Sequence, residues 1–93
     1  MSQLTNVLES GAAAAEVAHG LWRVVVWEDP GAPGGRWRGR VYQPQVADED
    51  LAMEARFEEP DLSGLVRRLV GYPYFVSPDL PWRPGGIPRD AQL

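Results

Sequence analysis

The 93-residue chain contains no cysteine, no lysine and a single histidine, His19. Without cysteine there is no disulfide framework, no thiolate site for zinc or iron–sulfur clusters, and no thiol nucleophile. The same absence fits a reducing compartment, so a cytoplasmic location is expected. With one imidazole, a zinc site would need several carboxylates, an uncommon ligand set. His19 precedes Gly20 at the end of a predicted helix, where a histidine is ordinarily a cap or packing residue rather than a catalyst. Long apolar runs are missing too, so no membrane partner is expected. Met1-Ser2-Gln3-Leu4 lacks the basic start and apolar core of a signal peptide.

All nine basic residues are arginines, set against 13 acidic ones, for a formal net charge of −4. That balance argues against generic attraction to nucleic acid or to anionic membranes. What the chain does have is aromatic mass: four tryptophans, three tyrosines and two phenylalanines. The length fits one domain with one modest core, stable without disulfides or metal but with little to spare.

Residues 3–19 read as a helix, with Leu4, Val7, Leu8, Gly11, Ala15 and Ala18 along one stripe. The alanines 12–15 favour helix, and Gly11 is the weak point at which the segment would split. Residues 21–29, LWRVVVWED, read as a strand. The glycines and prolines of 29–35 force a hairpin loop. Residues 36–43 and 51–59 alternate with period two and read as two more strands, which most simply complete a three-stranded antiparallel meander. Leu62, Leu65, Val66, Leu69 and Val70 give the stripe of an amphipathic helix. Asp61 or Ser63 would cap its start; Gly71 and Pro73 would stop it. Residues 74–76 are a candidate edge strand. From Ser77 onward the prolines at 78, 81, 84 and 88 argue against regular pairing. The expected fold is therefore α+β, in the order α-β-β-β-α with a short final strand. Residues 1–76 are expected to form the domain, and 77–93 an extended proline-rich tail, docked in part through Leu80 and Trp82.

Period two also sorts the strands into faces. Trp22, Val24 and Val26 belong with Trp37, Gly39 and Val41 on an apolar side that both helices can cover. Leu51, Met53, Ala55 and Phe57 extend it. The opposite, open side carries Arg23, Val25, Trp27, Arg36, Arg38 and Arg40, with Glu54, Arg56 and Glu58 from the third strand. Its arginines either pair with those carboxylates and stack on Trp27, or form an arginine–tryptophan platform for single-stranded nucleic acid. The acidic balance favours the first. The element order also matches that of double-stranded-RNA-binding domains. Those domains, however, need a lysine-rich start to the second helix, where this chain has Asp61-Leu62-Ser63-Gly64.

A second charged stretch holds Asp48, Glu49, Asp50, Glu54 and Glu58. It reads as a solvated loop with cross-strand ion pairs, or as a surface for a basic partner of the kind an acidic inhibitor or nucleic-acid mimic would use. Asp48 and Asp50 alone make a weak magnesium site, and no phosphate-binding loop accompanies them. Glu54 and Glu58 would stand about 13 Å apart on an extended strand, too far for paired carboxylate hydrolysis. No metal, no cofactor and no enzymatic activity is expected. The sequence instead fits a non-enzymatic protein-interaction protein, regulatory or accessory in role. Its partner would be another protein or a second copy of itself. The candidate contacts are Arg23, Trp27, Arg36, Arg38 and Arg40 on the sheet, and Tyr74, Phe75 and Trp82 in the proline- and aromatic-rich segment.

Overall fold

The computed structural model describes residues 2–31, 36–43 and 53–92. Among these the chain folds as a small α+β protein with two α-helices and a five-stranded antiparallel sheet. Among the described residues no helix is long and apolar enough to cross a membrane.

The first helix, α1 (Gln3–Glu9), is much shorter than the stripe predicts. Ser2 caps it, its hydroxyl accepting from the Thr5 amide at 3.2 Å. At the other end the Ser10 hydroxyl donates to the Val7 carbonyl at 2.6 Å. Gly11 then takes φ +92°, a conformation that a helix cannot continue through. The expected helix over 3–19 is thus corrected: its second half is a strand, β1 (Ala14–His19). Helix propensity favours alanine by at most about 0.7 kcal/mol per residue over ordinary residues. Pairing on both sides of β1 outweighs that preference. Ala14 and Ala15 are fully buried, one on each face of the sheet, where only small side chains are needed.

Gly20 at φ +60° and Leu21 turn β1 into β2 (Trp22–Glu28), as a two-residue hairpin with glycine at its first central position. β3 (Trp37–Tyr42) and β4 (Met53–Glu59) follow by antiparallel pairing. The meander therefore has four strands rather than three. Helix α2 (Leu62–Val70) starts at Asp61, whose carboxylate accepts from the Gly64 amide at 2.7 Å.

Residues 74–76 are not the expected edge strand. Phe75 sits at φ +53°, outside the β region, and the Val76 amide donates to the Leu69 carbonyl at 2.8 Å. The fifth strand lies further on, in the segment whose prolines argued against pairing: β5 (Arg83–Gly85) runs antiparallel to β1. Pro84 is tolerated there because β5 is an edge, where the outer side of the strand needs no donor. The spatial order is β4-β3-β2-β1-β5.

Both helices cover one face, α1 over β1 and β5, α2 over β3 and β4. The apolar register expected for β2 and β3 is the one found: Val24 faces Val41, and Val26 faces Gly39. Leu4, Val7, Val17, Leu65, Leu69, Val76 and Trp82 close this main core. Trp82 is 2% exposed, and its indole donates to the Ser77 carbonyl at 2.9 Å. The Gln3 side-chain amide donates to the Trp82 carbonyl at 3.0 Å, which ties the C-terminal segment to α1.

The other face is not open. Ala14, Val25, Trp27 and Tyr42 form a second buried cluster, against which Met53, Ile87 and Ala91 pack. Residues beyond β5, ending in a 3-10 turn (Arg89–Gln92), thus reach the side opposite the helices. A bulge sets the position of Met53. Val41 pairs with Ala55, but Tyr42 pairs with Met53, so Glu54 is the extra residue. Met53 and Glu54 consequently exchange the faces that strict alternation assigns them.

Candidate functional site

The arginines of β2 and β3, and Arg36 just before β3, are met by groups of the same chain. Arg23 lies 3.5 Å from Glu16 and stacks 4.6 Å from the Tyr42 ring centroid. Arg36 pairs with Glu28. The Arg38 guanidinium stands between Asp29, at 3.6 Å, and Glu58, at 3.9 Å. Arg40, only 6% exposed, lies over Trp27 at 5.8 Å and donates to the Met53 sulfur at 3.4 Å. Trp27 itself is 2% exposed. Such pairs contribute at most about 1 kcal/mol each to stability, and they offset the charge of Arg23, Arg36 and Arg38.

The acidic group is divided. Asp48, Glu49 and Asp50 lie outside the described residues. Glu58 faces Arg38, as alternation predicts, whereas the bulge sends Glu54 to the helix side. There it accepts from the Gln43 side chain at 3.1 Å and stands near Tyr74. Burial, followed by the Glu54 charge, raises the Tyr74 phenol above its ordinary pKa of 10.0. Among the described residues, no group of three His, Asp or Glu side chains is placed to hold a metal ion.

A third surface lies where α2 ends. Gly71 closes the helix, its amide donating to the Arg67 carbonyl at 3.2 Å. Its carbonyl then accepts from Tyr74 at 3.0 Å and from Phe75 at 3.1 Å, so the chain turns back on itself over Tyr72-Pro73. The inner side of this turn is anchored. Tyr74 makes edge-to-face contacts with Trp22, at 5.4 Å between centroids, and with Phe57, at 6.0 Å. Val76 is buried in the main core. The outer side is bare. Tyr72 is 87% and Phe75 61% exposed, their rings edge to face at 6.1 Å. Leu21 and Val70 are the other large apolar side chains left exposed among the described residues.

Of the aromatic contacts expected from sequence, Phe75 is thus presented, Tyr74 is half-buried beneath it, and Trp82 serves the core. Tyr72 opens the same proline- and aromatic-rich segment but is not among the contacts singled out from it. The signal was present in Gly71-Tyr72-Pro73, where a helix stop followed at once by tyrosine and proline leaves the aromatic on a turn with no strand or helix to bury it.

An open groove of about 630 Å³ separates α1 from α2, lined by Ser2, Thr5, Leu62, Ser63, Val66, Arg67 and Pro78. Its hydroxyls are committed to the helix starts. Ser2 and Thr5 share a hydrogen bond of 2.9 Å, and Ser63 donates to Asp61 at 2.9 Å. The groove therefore offers a ligand few polar groups that are not already engaged.

No known protein family, no curated protein and no solved structure matches this chain.

Proposed function

We propose that this chain is a non-enzymatic protein-interaction protein, regulatory or accessory in role, which docks by placing Tyr72 and Phe75 in an apolar cleft of a partner protein. The observation that carries this reading is the turn itself. Two large aromatic side chains are held outward on a backbone that four hydrogen bonds, from the amides of Gly71, Tyr74, Phe75 and Val76, fasten to α2 and to Gly71. Phe75 adopts φ +53°, which an L-residue with a bulky side chain rarely takes. A strained aromatic kept at the surface contributes little to folding, so binding gives it a purpose. Fully burying one such ring is worth about 1.5–3 kcal/mol, and rigid aromatics lose little entropy on docking.

The readings as an acidic inhibitor or a nucleic-acid binder rest on weaker ground. The described carboxylates do not share one surface, and the sheet arginines face Glu16, Glu28, Asp29, Glu58, Tyr42 and Trp27.

The test is site-specific photo-crosslinking from position 72 in cells that make the protein, followed by titration with the purified protein so captured. The expected result is a single cross-linked partner whose affinity falls at least tenfold for Phe75→Gly, with Arg38→Glu near wild type. A partner that binds Phe75→Gly and Tyr72→Ser proteins at full affinity overturns the proposal.

A further inference from the structure

The sheet has two edges of unequal character. β5 is three residues long and carries Pro84. β4 is seven residues long, contains no proline, and has β3 as its only strand neighbour among the described residues. A long edge without proline is a template for a further strand. Its exposed side chains are Glu54, Arg56 and Glu58. Among the described residues the Arg56 side chain makes no ion pair or hydrogen bond, and the residue opposite it on β3 is another cation, Arg40.

We infer that two copies of this chain join antiparallel along the outer edge of β4, about a two-fold axis at Phe57, and form one continuous ten-stranded sheet. Charge selects this register. An axis at Arg56 sets Arg56 against Arg56; an axis at Glu58 sets Glu58 against itself. Like charges directly opposite are destabilising. An axis at Ala55 would oppose Glu54 to Arg56, but the bulge has moved Glu54 to the helix side, away from Arg56. Only the axis at Phe57 sets Arg56 of each copy opposite Glu58 of the other, twice, on the face that Arg56 and Glu58 already share. It also brings the two half-buried Phe57 rings together on the helix side, beneath Arg68, whose guanidinium lies 4.8 Å from the Phe57 ring. Main-chain hydrogen bonds supply the affinity, and the two charge pairs supply the register.

Sedimentation velocity tests this with the full chain. Wild type is expected to be a dimer; Arg56→Glu and Glu58→Arg are each expected to be monomers with unchanged circular dichroism. An equimolar mixture of those two variants restores the dimer, because each substituted position then meets an opposite charge on the other chain. A wild type that stays monomeric up to millimolar concentration overturns the inference. So does a dimer that survives both single substitutions, or a mixture that stays monomeric. Should either variant fail to fold, the salt dependence of the wild-type dimer decides: a dissociation constant rising severalfold from low to high salt supports charge-set pairing, and one indifferent to salt overturns it.

Discussion

Leu65 of α2 stands directly on Gly39 of β3: a Cβ added to Gly39 would lie 3.1 Å from the Leu65 Cδ1 methyl. The missing side chain lets the helix seat its central leucine against the sheet, with Leu65 fully buried. Gly39→Val fills that contact with two further methyl groups. The expected cost is about 1–3 kcal/mol, and each kcal/mol lowers the melting temperature by about 4–8 °C in a domain of this size. Gly86→Ala is the control. Nothing lies within 4 Å of a Cβ there, so its thermal melt should match wild type.

The segment after Ser77 is expected to be required for folding. It supplies Trp82, the β5 pairing to β1, and the Pro78 carbonyl that accepts from the Leu4 amide at 3.0 Å. Trp82→Ala should cost about 3–5 kcal/mol, a large share of the roughly 5–15 kcal/mol typical of a domain. A chain ending at Ser77 should show no cooperative urea transition. A cooperative transition with the wild-type midpoint would place the whole core in residues 1–76.

Phe75 should show stability and binding moving in opposite directions. A left-handed backbone costs an L-residue about 1–2 kcal/mol, and glycine takes it freely. Phe75→Gly is therefore expected to raise the urea midpoint slightly while weakening partner binding at least tenfold. Paired denaturation and titration experiments check both halves.

Asp61 should make α2 sensitive to acid. The Gly64 amide and then the Ser63 hydroxyl hold its carboxyl below the ordinary 3.8, against some loss of hydration and with a smaller contribution from the Arg67 charge. The folded state therefore favours the ionised form. Its stabilisation is complete above the ordinary pKa and is lost as pH falls through the lower folded value. Thermal melts across that acid range should fall for wild type and flatten for Asp61→Asn, which keeps a capping oxygen but has no proton to take up.

Tyr74 gives the alkaline counterpart. Its raised pKa means that the folded state holds the phenol proton more tightly, so its stabilisation is present below 10.0 and is lost as pH rises through the higher folded value. Glu54→Gln should bring the ionisation part of the way back, since burial is the larger cause. NMR titration of tyrosine-labelled protein measures the shift directly.

Local pattern was enough where one periodicity had a single use. The stripe of Leu62, Leu65, Val66 and Leu69, with Asp61 before it and Gly71 after it, leaves little choice but an amphipathic helix, and that helix forms. Alternation in Trp22–Glu28 and Trp37–Tyr42 likewise dictates which residues face the helices, because a slip of one position would take Val24, Val26 and Val41 off the helix side and set Arg23 and Arg40 there instead. The approach of Arg38 to Glu58 and of Arg40 to Trp27 follows from the same register, whereas Glu54 is turned away and Arg23 finds Glu16 on a strand that local pattern did not reveal. Long-range packing decided the rest. Ala14–His19 carries a helical propensity that yields to two strand partners and to cover on both faces. Pro84 is paired because its place is an edge. Met53 and Glu54 trade sides because a bulge at Val41 and Tyr42 inserts one residue, and Tyr72 and Phe75 are left outside because Tyr74 and Val76 take the room beneath the turn. Residue order carries the nearest-neighbour preferences, each worth a fraction of a kcal/mol; contacts between segments far apart in the chain outweigh them wherever the two disagree.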